Sequence, residues 1–331
     1  MSESGQAIAP PEVLEAYFPQ GIVSEKEIKG GEVNTTLLVT DNVGNKNILQ
    51  RLSKIFDTSV EEDYAVVSSH LTELGWEMAT VLKTDEGTAC LTDGSGNVWR
   101  VFSYIESDPG SNYEGDLEAS VALGGLLGTL HSALATLDYV PKFRVPHSQD
   151  TDYYRRRLLE TLPYVPDEVW ELAQKMIETP KENALGRKPV QLIHGDPRIG
   201  NSLFIRNKPF TFIDWDGFKI GSPLLDVGDM LQSTAGEVIT KGKGDCTVED
   251  LLPMLEAYFE SAGVDTDKES FILEALSIGR IIALNLGMRH LIDTVEDRYF
   301  KWDTSRFKSR LAFNIYCASR QQKVAEIFEA S

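Results

Sequence analysis

A chain of 331 residues, 42% apolar and 25% charged, carries enough apolar material for a core, and its length points to one large two-lobed unit or two domains rather than to disorder. Its formal charge of −19 argues against nucleic acid and membranes as partners, since both attract clustered Lys and Arg, and favours a neutral or cationic small molecule or an anion held by metal. Cys90, Cys246 and Cys317 make no C-x-x-C spacing, which argues against a zinc site or a disulfide framework, and the N-terminus lacks the pattern of a signal peptide, so a cytoplasmic protein is expected.

In chain order, a short amphipathic helix is predicted from Pro11 to Phe18, and the segment from Gly31 to about Ile105 reads as strands with one helix among them. Leu37 to Val39 and Asn47 to Leu52 flank the turn residues Asp41 to Asn45 as a hairpin. Val60, Tyr64, Val67, Leu71 and Leu74 recur at helical spacing and predict a helix over 58–74 with one buried face. A second hairpin joins Cys90-Leu91 to Val98–Tyr104 across the turn 93–97.

Past Ser107-Asp108-Pro109-Gly110, taken as a hinge, helices are predicted over 117–138, 151–162, 166–179, 248–262, 269–295 and 304–330, with a small β-rich insert at 191–213. The apolar stretch 119–137 approaches membrane length, but Gly124, Gly125, Gly128 and His131 interrupt it and point to a buried core helix. A strand-rich first third before a helical remainder predicts an α+β protein, with a small β-rich N-lobe over 1–106 and a larger helical C-lobe over 107–331.

The insert carries the chemistry. Leu192-Ile193-His194-Gly195-Asp196-Pro197-Arg198-Ile199-Gly200-Asn201 is followed by Leu203-Phe204 and by Phe212-Ile213-Asp214-Trp215-Asp216. Phosphoryl transfer asks little covalent help from a protein; it needs an oriented hydroxyl and cations that neutralise phosphate charge. An Asp to take the acceptor's proton, with an Asn and a second Asp at these distances, supplies a base and the hard oxygen ligands that Mg²⁺ prefers.

The pattern H-G-D-x-x-x-x-N followed by I-D resembles the aminoglycoside phosphotransferase, choline kinase and homoserine kinase superfamily, relatives of protein kinases whose loop reads H-R-D-x-x-x-x-N. The resemblance implies a bilobal protein-kinase-like fold with ATP and Mg²⁺ as cofactors. By position, Asp196 would be the catalytic base and would also meet the substrate, Asn201 and Asp214 would hold Mg²⁺, and His194 would brace the loop. Arg198 and Asp216 are candidate phosphate, substrate or metal contacts. Asp226 and Asp229 match an Asp-x-x-Asp element that pins the catalytic loop from behind, and His131 reads as a satisfied core histidine.

In the first lobe, Gly30-Gly31-Glu32-Val33-Asn34-Thr35-Thr36 resembles the family's G-G-x-x-N-x-T loop, which makes Gly31, Asn34 and Thr35 candidate phosphate contacts; no Walker A motif occurs. On Ile48-Leu49-Gln50-Arg51-Leu52, Arg51 takes the place of the V-A-I-K lysine, with Glu62 or else Glu61 as carboxylate partner. Tyr104 and Ile105 would offer backbone to adenine.

For the acceptor, Leu286 to Asp293 with Glu296 to Lys301 resembles the N-acetylhexosamine 1-kinase branch, and so do Val13 to Phe18 and Ile48 to Phe56. His290, Glu296 and Gly217 depart from that branch. The resemblance implies a sugar acceptor met by Arg289, Asp293 and Tyr299; the alternatives are an aminoglycoside or another amino compound such as choline or homoserine. From a different class, an inactive nucleotide-binding regulator is disfavoured by the intact Asp196, Asn201 and Asp214.

Overall fold

A computed structural model describes residues 8–28, 34–177, 190–242, 244–296, 300, 302 and 304–329. The chain divides into two compact units, Met1–Glu106 and Ser107–Ser331.

In the first unit, helix α1 (Pro11–Tyr17) precedes strands β1 (Ile22–Ile28), β2 (Thr35–Asp41) and β3 (Lys46–Arg51), then helix α2 (Ser59–Glu73) and strands β4 (Val81–Leu82), β5 (Cys90–Thr92) and β6 (Val98–Ser103). The strands form one antiparallel sheet in the order β1-β2-β3-β6-β4, with β5 also on β6. Both faces of the sheet are covered. Val13, Tyr17 and Phe18 of the α1 region pack on Leu37, Val39, Leu49, Trp99 and Val101. On the other face, Tyr64 of α2 meets Phe102 edge-on, with ring centroids 5.2 Å apart. The periodicity of α2 is as expected except at Leu74, which caps the helix exposed. Strand β1 lies ahead of the predicted strand region; largely exposed and poor in inward apolar residues, it lacks the alternation that marks a strand.

The second unit holds β7 (Asp108–Pro109), α3 (Leu117–Leu134), α4 (Thr151–Thr161), α5 (Trp170–Ile177), β8 (Gln191–Ile193), β9 (Ser202–Ile205), β10 (Lys208–Phe212), β11 (Lys219–Gly221), α6 (Pro223–Lys241), α7 (Val248–Ala262), α8 (Lys268–Glu296) and α9 (Arg310–Glu329). The glycine-rich α3 is a packing helix, started by Asp116, whose carboxylate accepts from the Glu118 and Ala119 amides. A Cβ on Gly124 would stand 2.3 Å from the Met254 carbonyl oxygen, so only glycine allows α7 to come this close. Helices α3 and α8 are long and apolar enough to cross a membrane, and 50% and 67% of their apolar windows are buried inside the fold.

Three expectations change. Asp108–Pro109 is not a free hinge: it pairs with β9, and Gly110 lies so close to the Ile199 carbonyl that a Cβ there would sit 1.8 Å from it. Helix α6 was not among the predicted helices, because Asp226, Gln232 and Thr234 are buried polar residues that blur its apolar stripe; its signal was Ser222-Pro223, an N-cap followed by proline at the first helical position. The C-terminal helix begins at Arg310, later than the predicted 304.

Candidate active site

The candidate catalytic segment runs between two short antiparallel pairs, β8 with β11 and β9 with β10. Strand β8 delivers His194, Gly195 and Asp196, and a 3-10 turn at Ile199–Asn201 brings Asn201 back beside them. Asn201 Nδ2 donates to Asp196 Oδ2 at 2.7 Å and to the Asp196 carbonyl at 3.1 Å. The Ile213 amide donates to the Asn201 carbonyl at 2.8 Å, which ties the residue before Asp214 to Asn201. Asp214 is left-handed, with φ 63° and ψ 57°, a conformation that costs a non-glycine residue about 1–3 kcal/mol and persists where surrounding contacts over-determine it.

His194 is fully buried and supplies those contacts. Its Nδ1 accepts from the Asp196 amide at 3.3 Å, so Nε2 carries the proton and donates to the Ile213 carbonyl at 3.2 Å. Burial depresses its basicity against the opposing pull of Asp226 and Asp196, and the ring is neutral. Gly195 has φ +89°, and a Cβ there would stand 2.1 Å from the Gly217 carbonyl oxygen, so the loop bearing Asp196 lies against the turn that follows Asp214.

Asp226, on the first turn of α6, holds the loop from behind. Its carboxylate accepts from the His194 amide at 2.7 Å, the Gly195 amide at 2.9 Å and His131 Nε2 at 3.1 Å. Burial alone would raise its pKa, but the hydrogen bonds from His131 and the Gly195 amide bring it below the usual carboxylate range. Tyr258 in turn donates to His131 Nδ1 at 2.8 Å, and burial, then Asp226, push its phenol up. Both His131 and His194 are therefore structural.

Around Asp196, Arg198 Nε lies 3.6 Å from Oδ2, with both side chains partly exposed. Asp216 is buried in the turn Trp215–Gly217. Three more polar groups neighbour the centre: Asp229 is the second member of the Asp-x-x-Asp element, whereas Glu237 and Lys219 had no motif to announce them. Asp229 is pushed well above the usual carboxylate range by burial and then by the charges of Asp196 and Asp226. Glu237 is pushed up to about 7 by burial, against the attraction of Arg198. Lys219, buried on β11, donates to Ser148 Oγ at 3.0 Å and Gln149 Oε1 at 2.7 Å.

The candidate acceptor residues divide. Arg289 lies 5.5 Å from the Tyr154 ring and 5.6 Å from the Phe300 ring, a cation framed by aromatics. Asp293 is buried instead, accepting from Asn314 Nδ2 at 3.0 Å and the Phe300 amide at 3.3 Å, so its carboxylate ties α8 to α9. Gly31 and Tyr299 lie outside the described residues.

In the first unit, Asn34 is buried and its Oδ1 accepts from the Ser53 amide at 2.9 Å. Thr35 Oγ1 accepts from Arg51 at 3.1 Å. Tyr104 carries the Lys46 ammonium 5.2 Å from its ring centre, and Ile105 is half-buried. The expected pairing of Arg51 with a carboxylate of α2 is corrected. Strand alternation puts Arg51 on the α1 face, exposed and 5.9 Å from the Trp99 ring, while Glu62 is exposed on α2. The ion pair that joins sheet to helix is Arg100 of β6 with Glu61, at 2.6 Å.

No cluster of three His, Cys, Asp or Glu side chains that could hold a metal occurs among the described residues. The donors here are of another kind: one amide and one carboxylate oxygen, a set that suits Mg²⁺ completed by waters and phosphate oxygens.

The sequence matches the family described as "Phosphotransferase enzyme family" over residues 24–257. No curated protein matches it. Among solved structures it is similar to an amicoumacin kinase in complex with AMP-PNP and Ca²⁺, at TM-score 0.63 and 14% identity over 95% of this chain and 91% of that one. An aminoglycoside phosphotransferase from Alicyclobacillus acidocaldarius gives 0.63 and 13% over 99% and 98%. A microcompartment-associated aminopropanol kinase gives 0.62 and 16% over 92% and 91%. At these identities the likeness shows a shared kinase-like α+β fold.

Proposed function

Because the chain belongs to the phosphotransferase enzyme family, we propose that it moves the γ-phosphate of ATP, with Mg²⁺, to a hydroxyl of a small molecule, and that this acceptor is a sugar such as an N-acetylhexosamine. The observation that carries the reading is the 2.7 Å contact of Asn201 with Asp196 beside a left-handed Asp214.

Asp196 takes the proton of the attacking hydroxyl. Its Oδ2 is engaged by Asn201, which directs Oδ1 toward the acceptor. Arg198, 3.6 Å from Oδ2, is the cation beside the base and would balance phosphate charge there. Asn201 Oδ1 and Asp214 are the groups that would hold Mg²⁺, whose part when bound is to neutralise phosphate charge.

Arg289 supports the sugar. Its planar donors meet two hydroxyl oxygens at once, and the Tyr154 and Phe300 rings on which it rests restrict its geometry. A second reading, an amino-compound acceptor, is favoured by the charge of −19, which concentrates cations, and by neighbours whose names are those of amicoumacin, aminopropanol and aminoglycoside kinases. ADP release across N-acetylhexosamines, neutral sugars, aminoglycosides, choline and homoserine separates the two. Turnover on an N-acetylhexosamine alone supports the first, turnover on amines alone replaces it with the second, and ADP binding with no turnover on any acceptor contradicts both.

A further inference from the structure

On the sheet face opposite α1, Thr36, Gln50 and Arg100 stand in one cross-strand row, in register across β2, β3 and β6. Gln50 Nε2 donates to Thr36 Oγ1 at 3.2 Å. Gln50 Oε1 accepts from Arg100 Nε at 3.0 Å and from Nη2 at 2.7 Å, and Arg100 Nη1 donates to Glu61 Oε1 of α2 at 2.6 Å. The Phe102 ring, 4.8 Å from the guanidinium carbon, fixes the plane of the fork.

The side chains of Arg100 and Glu61 are 2% and 4% exposed. Burying an ion pair is expensive, and two apolar residues of similar volume usually serve stability as well or better, so the charge calls for a use. One end of the row is Thr36, the last residue of the G-G-x-x-N-x-T segment; the other is the helix that follows β3. In protein kinases a β3 lysine paired with a carboxylate of that helix meets the nucleotide phosphates. Here the β3 side chain on the α2 face is Gln50, and the cation comes from the neighbouring strand.

We propose that Arg100, held by Glu61 and Gln50, is the cation of the first unit that balances the phosphates of the nucleotide, the task that position along β3 had suggested for Arg51. This rests on the phosphotransferase reading. An arginine keeps its charge however deeply it is buried, and its fork bonds Gln50 and Glu61 in a fixed geometry. Low-dielectric surroundings strengthen its field at short range. The same ion pair docks α2 on the sheet, so phosphate binding and helix position are linked through one side chain.

The test is calorimetric binding of ADP and of adenosine to the full-length protein with Mg²⁺. Replacing Arg100 alone strands a buried carboxylate, so the diagnostic variant is the double change Arg100→Met/Glu61→Met; Arg100→Gln/Glu61→Gln, a neutral pair that keeps a hydrogen bond, gives the same reading should the apolar pair not fold. Loss of a charge-assisted contact predicts ADP binding weaker by at least about 10-fold, with adenosine within about 3-fold of wild type. Wild-type ADP affinity in the double variants, or a parallel loss of ADP and adenosine, overturns the assignment, the second because it is what a purely structural pair would give. Phosphate-selective loss in Arg51→Met with the double variants intact overturns it in favour of Arg51. A wild-type protein that binds no ADP contradicts the phosphotransferase reading instead.

Discussion

The candidate catalytic segment and the first-unit sheet both place polar side chains with care, but by different means. Asp196, Asn201 and Asp214 sit on a loop and two turns, each held by named backbone bonds: the Ile213 amide to Asn201, His194 to Ile213, and Asp226 to two successive amides. Thr36, Gln50 and Arg100 sit on strands, where nothing but parity decides which face a residue serves. A loop motif therefore carries its chemistry in its own letters, whereas a strand motif carries it only together with the knowledge of which side is which.

If the loop is over-determined, its parts should fail in order of their closeness to the reacting atoms. Asp196→Asn removes the proposed base and should lower kcat by about 10²–10⁴-fold while ADP affinity persists. Steady-state kinetics beside calorimetry checks this, and near-normal turnover would remove Asp196 from the chemistry.

Asp226→Ala strikes the same loop from behind. It strands the His194 and Gly195 amides in a buried site, and the loss should approach about 3–5 kcal/mol, a fall in Tm of roughly 10 °C, with kcat reduced because the loop relaxes. A melt within a degree or two of wild type would mean that the loop is held by other contacts.

The smallest effect sharpens the comparison through pH. Glu237 is raised to about 7 in the fold, whereas an unfolded glutamate titrates near 4.3. Below the unfolded value both states are protonated. Between the two values only the folded state keeps the proton, so stability falls as pH rises toward 7, by at most about 4 kcal/mol before solvent screening. Glu237→Gln abolishes this slope. The Tm of the variant relative to wild type should therefore be more favourable at pH 8 than at pH 5, and an equal difference at both would show that Glu237 carries no such penalty.

What was legible in the sequence follows the same division. The contiguous run from His194 to Asn201, with Asp214 and Asp226 at their offsets, announced the centre because its members are neighbours in sequence as well as in space. Arg51 was misread because helices cover both faces of the sheet, so Ile48 and Leu49 are both apolar and alternation gives no hint of which side the carboxylate lies on. Arg100 hid in an apolar run, Val98 to Phe102, as a charged residue without a motif. Asp293 was a pocket candidate through the resemblance of 286–301 to the N-acetylhexosamine 1-kinase branch, and only the packing of α9 against α8 reveals that Asn314 donates to it. Helix α6 was read for its Asp-x-x-Asp alone, since its buried polar residues weaken the very periodicity that would have revealed the helix.

The proposed function requires Asp196, Asn201 and Asp214 to act as one magnesium-assisted phosphoryl-transfer centre. Turnover measured against Mg²⁺ concentration for wild type and Asp214→Ala addresses it most directly. The variant should lose Mg²⁺-dependent ADP production while retaining its fold by circular dichroism; full activity at ordinary Mg²⁺ would contradict a shared metal centre.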